Sequence, residues 1–136
     1  MESLKELYRI GKGPSSSHTM GPQKAAQIFA EHHRDAKAFK AILYGSLAAT
    51  GKGHMTDIAI TEVLEPIAPV TITWEPSVFL PFHPNGMRLL SYDADGKETD
   101  SWLVFSVGGG ALSEGGETRW LTDVKDVYKK NSSPAS

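Results

Sequence analysis

Three short segments set a histidine beside hydroxyl or amide side chains: Ser15-Ser16-Ser17-His18-Thr19, Gly53-His54-Met55-Thr56-Asp57 and Phe82-His83-Pro84-Asn85-Gly86. Imidazole moves protons near neutral pH, while Ser, Thr and Asn offer fixed hydrogen bonds to a carboxylate, an ammonium or a hydroxyl. The first segment lies between Gly13-Pro14 and Gly21-Pro22, which set a tight path ahead of a helix-forming stretch whose first N–H groups can meet an anion. Each segment also has a plain structural reading, as a Ser-rich helix cap, a helix start and a turn respectively. Zinc would require His18, His54 and His83 to converge around an open position, and no His-x-x-x-His pair supports it. Gly45 to Lys52 looks like a phosphate-binding loop, but five residues rather than four separate its glycines. Gly53 also stands where Ser or Thr must reach magnesium.

The elements that must position these segments follow from hydrophobic spacing. Ala25, Ala26, Ile28, Phe29 and Ala30 predict an amphipathic helix over 21–33, with Pro22 in its first turn and His32-His33 at the end favoured by the helix dipole. Phe39 to Leu47 reads as a buried strand. Ile58, Ala59, Val63 and Leu64 predict a second helix over 55–65, stopped by Pro66. The period then changes: Val70, Ile72 and Trp74 alternate with polar residues. Met87 to Tyr92 and Ser101 to Val107 flank the turn Asp93-Ala94-Asp95-Gly96, and Gly108 to Gly110 end the last strand. The expected fold is α+β, two helices on one mixed sheet in the order α-β-α-β-β-β. Residues 1–120 form the domain, and 121–136 read as a polar tail or linker.

Composition narrows the classes. The 136 residues suit one domain with a real core, 40% hydrophobic and 22% charged. Fourteen basic against sixteen acidic residues, with no basic stripe, argue against nucleic acid as a partner. No run approaches the roughly 20 apolar residues of a membrane span, and residues 1–7 lack a signal-like apolar core, so a cytoplasmic protein is expected. The chain has no cysteine and can supply no thiolate to an iron–sulfur cluster.

Taken in order, Gly13 to Pro22, Thr50 to Asp57, Phe82 to Met87 and Ser106 to Gly110 resemble the β domain of the iron–sulfur-dependent bacterial L-serine dehydratases, over about residues 5–115. That resemblance implies a β domain or subunit that partners a larger α domain, whose cysteines hold a [4Fe-4S] cluster. None of the cluster would be bound by this chain. The complete enzyme converts L-serine to pyruvate and ammonia: a base takes the α-proton, the β-hydroxyl leaves to a Lewis-acidic iron, and an enamine then hydrolyses. The same resemblance implies a fold similar to the allosteric substrate-binding domain of some phosphoglycerate dehydrogenases, a homo-oligomeric assembly, and no activity for this chain alone. Carried over by motif, His18, His54 and His83 are the candidates for the base or for substrate hydrogen bonds, with His54 favoured as base. Ser16, Ser17, Thr19, Thr56 and Asn85 are candidate contacts to the carboxylate and ammonium. Met55 departs from the family pattern, in a slot expected to hold a small residue. The alternative from another class is a non-catalytic domain that senses L-serine.

Overall fold

The computed structural model describes residues 16–51, 55–116 and 118–121. A π-helical turn, Ser16–Met20, runs directly into helix α1, Gly21–His32. Met20 already has right-handed helical angles, so the Ser-rich segment winds up as helix where the sequence suggested a loop. Ala25, Ala26, Phe29 and Ala30 form the buried stripe of α1. Strand β1, Ala38–Tyr44, buries Phe39, Ala41 and Leu43 at every second residue.

The chain then departs from the expected order. Gly45, at φ +51°, breaks the strand by turning left-handed, and Gly45–Gly51 forms a short helix α2 that delivers Leu47 to the core. The strand expected to reach Leu47 therefore stops at Tyr44. Helix α3, Thr56–Leu64, buries Thr56, Ala59, Ile60 and Leu64. Strands β2 (Val70–Glu75), β3 (Gly86–Tyr92) and β4 (Glu98–Gly108) follow where the alternation places them. A further strand, β5 (Ala111–Glu114), returns along β4 through Gly108, Gly109 and Gly110, all at positive φ. The glycine run thus ends β4 as expected, but as a hairpin turn into a further strand, so β4 is not the last.

The five strands lie in the order β2-β1-β3-β4-β5. β1 and β2 are parallel, joined over the sheet by α2 and α3; the other pairings are antiparallel. The fold is α+β, as expected, with helices on a mixed sheet. Its core is one cluster in which Phe29, Phe39, Leu43, Leu47, Ile60, Leu64, Met87, Leu89, Val104 and Leu112 are buried. Each such side chain contributes about 1.5–3 kcal/mol relative to exposure. No helix among the described residues is long and apolar enough to cross a membrane.

The end of the sheet where β4 begins is locked by charge and aromatic packing. His33 Nε2 and Asp100 Oδ2 are 2.8 Å apart, and Arg119 holds the same carboxylate with both terminal nitrogens, at 3.1 and 2.7 Å. The Arg119 guanidinium lies over the Trp120 ring, 4.1 Å from its centroid, and His32 stacks on Trp120 at 4.4 Å. Glu114 accepts from Trp102 Nε1 at 2.7 Å and from the Arg119 and Trp120 amides at 2.9 and 3.1 Å. Leu121 then packs into the core.

Burial pushes the Asp100 carboxyl up, but the hydrogen bonds from Arg119 and His33, the Arg119 charge and the Ser101 amide together hold it below its ordinary value. A depressed carboxylate stabilises the fold fully above the ordinary value of 3.8, and that contribution disappears as pH falls through the lower folded-state value. Asp100→Asn is therefore expected to lower the thermal midpoint at neutral pH, with the gap from wild type closing in strong acid. An equal gap at neutral pH and at pH of about 2.5 would count against this account.

Candidate functional site

Sheet direction gathers three connections at one end. β1 and β4 finish where β3 starts: Leu43 pairs with Met87, and Gly86 with Phe105. The Phe82-to-Gly86 segment leads into β3 there, and Ser46, just past β1, donates its N–H to the Pro84 carbonyl at 3.0 Å. At this same end β4 carries Ser106 to the start of α1. A Cβ built on Gly21 would fall 2.0 Å from Ser106 Oγ and 2.9 Å from Ser106 Cβ, so only glycine lets the helix approach so closely. The start of α3 joins them through Thr56, whose buried hydroxyl donates to the His18 carbonyl.

The expected residues sort as follows. Ser16 and Ser17 belong to the backbone of the π-helical turn, with His18 and Thr19. Their turn is tied to α3 by Thr56, so Thr56 is fully buried and its proton is already spent on backbone. With its proton committed, the Thr56 hydroxyl keeps only acceptor capacity. His83 and Asn85 are adjacent in space as in sequence: the Asn85 amide donates to His83 Nδ1 at 3.0 Å. Asn85 Nδ2 donates to the Ser106 carbonyl at 3.2 Å, and the Ser106 amide returns a bond to the Asn85 carbonyl at 3.0 Å. His18, Thr56, His83 and Asn85 are thus linked through the Gly21–Ser106 contact. His54 lies outside the described residues, although its chain neighbours Met55 and Thr56 do not.

The His83 ring has a defined proton arrangement. Because Nδ1 accepts a hydrogen bond it carries a lone pair, and the neutral ring keeps its proton on Nε2. Burial lowers the pKa of His83 from its ordinary value, which favours this neutral form. Such a ring is a donor through Nε2, and its one lone pair is engaged. Asn85 Nδ2 is committed to Ser106, and its Oδ1 is an acceptor group.

Two features escaped the site residues read from the sequence. Ser106 is fully buried, and its Oγ has no hydrogen-bond partner among the described residues, an uncommon state for a buried hydroxyl. Its position directly before Val107 and three glycines was visible, but its contact with Gly21 is purely tertiary. Met55 has φ +63° and ψ +31°, a left-handed conformation that costs a side chain about 1 kcal/mol or more. A small residue was expected in this slot from the family pattern, and glycine is the residue that adopts this conformation without strain.

No cluster of three or more metal-ligating side chains occurs among the described residues, and the sequence contains no cysteine. A [4Fe-4S] cluster does not fit the residues of this chain. Gly21→Ala is expected to destabilise the fold by about 1–3 kcal/mol in chemical denaturation, through overpacking against Ser106. Ser106→Ala, which removes only an unpartnered hydroxyl, should leave stability unchanged or raise it slightly. A loss of more than about 1 kcal/mol for Ser106→Ala would mean that the hydroxyl has a partner in solution.

Comparison with known proteins places these motifs. The family described as "Serine dehydratase beta chain" matches residues 3–76 and 68–117. The chain is similar to an "L-serine dehydratase" of Mycobacterium tuberculosis, 37% identical over 149 residues, covering 81% of this chain and 32% of the relative. An "L-serine dehydratase" of Streptomyces coelicolor is 35% identical over 148 residues, covering 79% and 32%. "L-serine dehydratase 1" of Escherichia coli is 31% identical over 152 residues, covering 82% and 33%. The chain spans about a third of the length of these relatives. With the family matched across most of its sequence and the motif segments meeting at one end of the sheet, the chain belongs to the serine dehydratase beta chain family.

Proposed function

We propose that this chain is the β part of an L-serine dehydratase and supplies substrate-binding and acid–base groups to the conversion of L-serine to pyruvate and ammonia. It does so together with an α part that holds the [4Fe-4S] cluster. When bound, that cluster supplies the Lewis acidity that draws off the β-hydroxyl. The observation that carries the reading is the meeting of the Ser-His-Thr turn, the start of α3 and the His-Pro-Asn-Gly turn at a single end of the sheet.

In this reading the residues divide the work by which of their atoms remain available. Asn85 Oδ1 accepts from the substrate ammonium, and His83 donates through Nε2 to its carboxylate. The first N–H groups of α1 favour a carboxylate, and Ser16, Ser17 and Thr19, just ahead of them in sequence, are assigned to the same contact by their motif. Thr56 holds that turn in place through the His18 carbonyl. The α-proton goes to a histidine; His83 has its Nδ1 lone pair engaged, and His54 is favoured by its motif, with His18 the other candidate. The localisation that suits such an enzyme is the cytoplasm. A homo-oligomeric assembly also belongs to this reading.

A purely sensory domain for L-serine is the second reading, favoured by one observation: His83 has its Nδ1 lone pair engaged and is set to donate a hydrogen bond rather than to take a proton. The two diverge in kinetics of the enzyme reconstituted with its α part. His54→Asn should lower kcat by about 10²–10⁴-fold with little change in KM, the range for losing a general base. Asn85→Ala should act chiefly on KM. The chain without its α part should give no pyruvate from L-serine. Near-normal turnover for His54→Asn would pass the base role to His18. Near-normal turnover in every histidine variant, with altered serine dependence of the rate, would establish the sensor instead.

A further inference from the structure

The end of the sheet that gathers the motifs also exposes most of the large apolar side chains that this chain leaves uncovered. Met20 closes the π-helical turn, Met55 and Ile58 stand at the start of α3, and Val78, Phe79 and Phe82 lie on the segment between β2 and β3. Phe79 and Phe82 are 61% and 62% exposed, and Met20 and Met55 are 55% and 53% exposed. The two phenylalanines are not stray side chains on a loose segment. Phe82 packs edge-on against Phe105 with centroids 5.0 Å apart, and Phe79 sits beside Gly45, where an added Cβ would come within 3.0 Å of its ring. Met20 lies against the β4–β5 turn, with its Cε 3.6 Å from where a Cβ on Gly110 would stand. These six side chains, the rim, stand on connections at the motif-bearing end of the sheet, and apolar side chains exposed together in this way mark an interaction site.

We infer that this rim is the surface on which the α part of the dehydratase docks, an inference that rests on the proposed function and names the partner surface of that site. Three observations favour this occupant over others. About two thirds of the length of each relative lies outside the match with this chain, so a larger protein mass accompanies this fold in those enzymes. The exposed apolar side chains belong to the same connections as the polar groups of the proposed site, so a partner that completes the site would cover them too. Met55 is held left-handed and is 53% exposed, so a strained residue presents apolar surface that a partner would cover.

The test is association of this chain with the α part from the same organism, made as a separate polypeptide. Dissociation constants are read by sedimentation or calorimetry, beside turnover and the thermal midpoint of this chain. Ile58→Glu puts a carboxylate in the first turn of α3, where the helix dipole tolerates it, and should weaken association about 30-fold or more with the midpoint nearly unchanged. Phe79→Ser with Phe82→Ser should weaken it at least as much, with circular dichroism confirming that the variant is folded. Met55→Gly should raise the midpoint of this chain yet weaken association, a pair of opposite changes that a merely structural role would not produce. Asp95→Lys, in the turn at the far end, should change nothing. Unchanged association in folded rim variants overturns the proposal while leaving the site reading intact. Weakened association with normal turnover of Asn85 and histidine variants in the assembled enzyme keeps the docking surface and sinks the site reading. Loss of a self-dimer of this chain without an effect on binding of the α part would assign the rim to a second copy and overturn the proposal.

Discussion

The approach of α1 to β4 at Gly21 and Ser106 is the constraint on which the motif-bearing end depends. A helix normally stands about 10 Å from a sheet because side chains separate them. Here the missing side chain of Gly21 lets the helix start press onto the end of a strand. The π-helical turn of Ser16–Met20 is thereby placed beside Asn85 and its neighbours. A methyl group at residue 21 would push the turn away from the β3 entrance and would separate the two halves of the polar cluster.

The two ends of the sheet are built on opposite principles. At one end His33, Asp100 and Arg119 share a carboxylate, Glu114 gathers one indole and two backbone donors, and Trp102 and Trp120 close over Phe29. Its polar groups are matched, and its aromatic surface is largely covered. At the other end a buried hydroxyl lacks a partner among the described residues, a methionine is strained and phenylalanines face solvent. Local stability is concentrated where no chemistry is proposed, and the unsatisfied features collect where it is.

Hydrogen-bond accounting changes what the residue types can do. A list of hydroxyls and imidazoles treats each as equally available, yet the Thr56 hydroxyl and the His83 Nδ1 lone pair are already used inside the fold. What this leaves in the His-Pro-Asn-Gly turn is an Asn85 side-chain carbonyl oxygen and a His83 N–H. This is one acceptor and one donor side by side, a more limited set than the residue types alone suggest.

Sequence by itself determined the elements whose periods are strong. The stripe of α1, the alternation of β1 and β2 and the strands around Asp93 to Gly96 are all legible, because burial on one face imposes a period of 3.6 or 2 on the residue types. The family motifs were legible as well. Only tertiary structure decided the short helix α2, the strand β5 and the winding of the Ser-rich segment. Gly45 and Gly108 to Gly110 permit such turns, but the partners that stabilise them are distant in sequence: Pro84 for Ser46, β4 for β5, and Thr56 for the His18 carbonyl. The same holds for Thr56, Ser106 and Met55, whose roles rest on contacts and backbone angles fixed by neighbours many residues away. Residue type sets what a group can bond to, and the fold sets which bonds are already made.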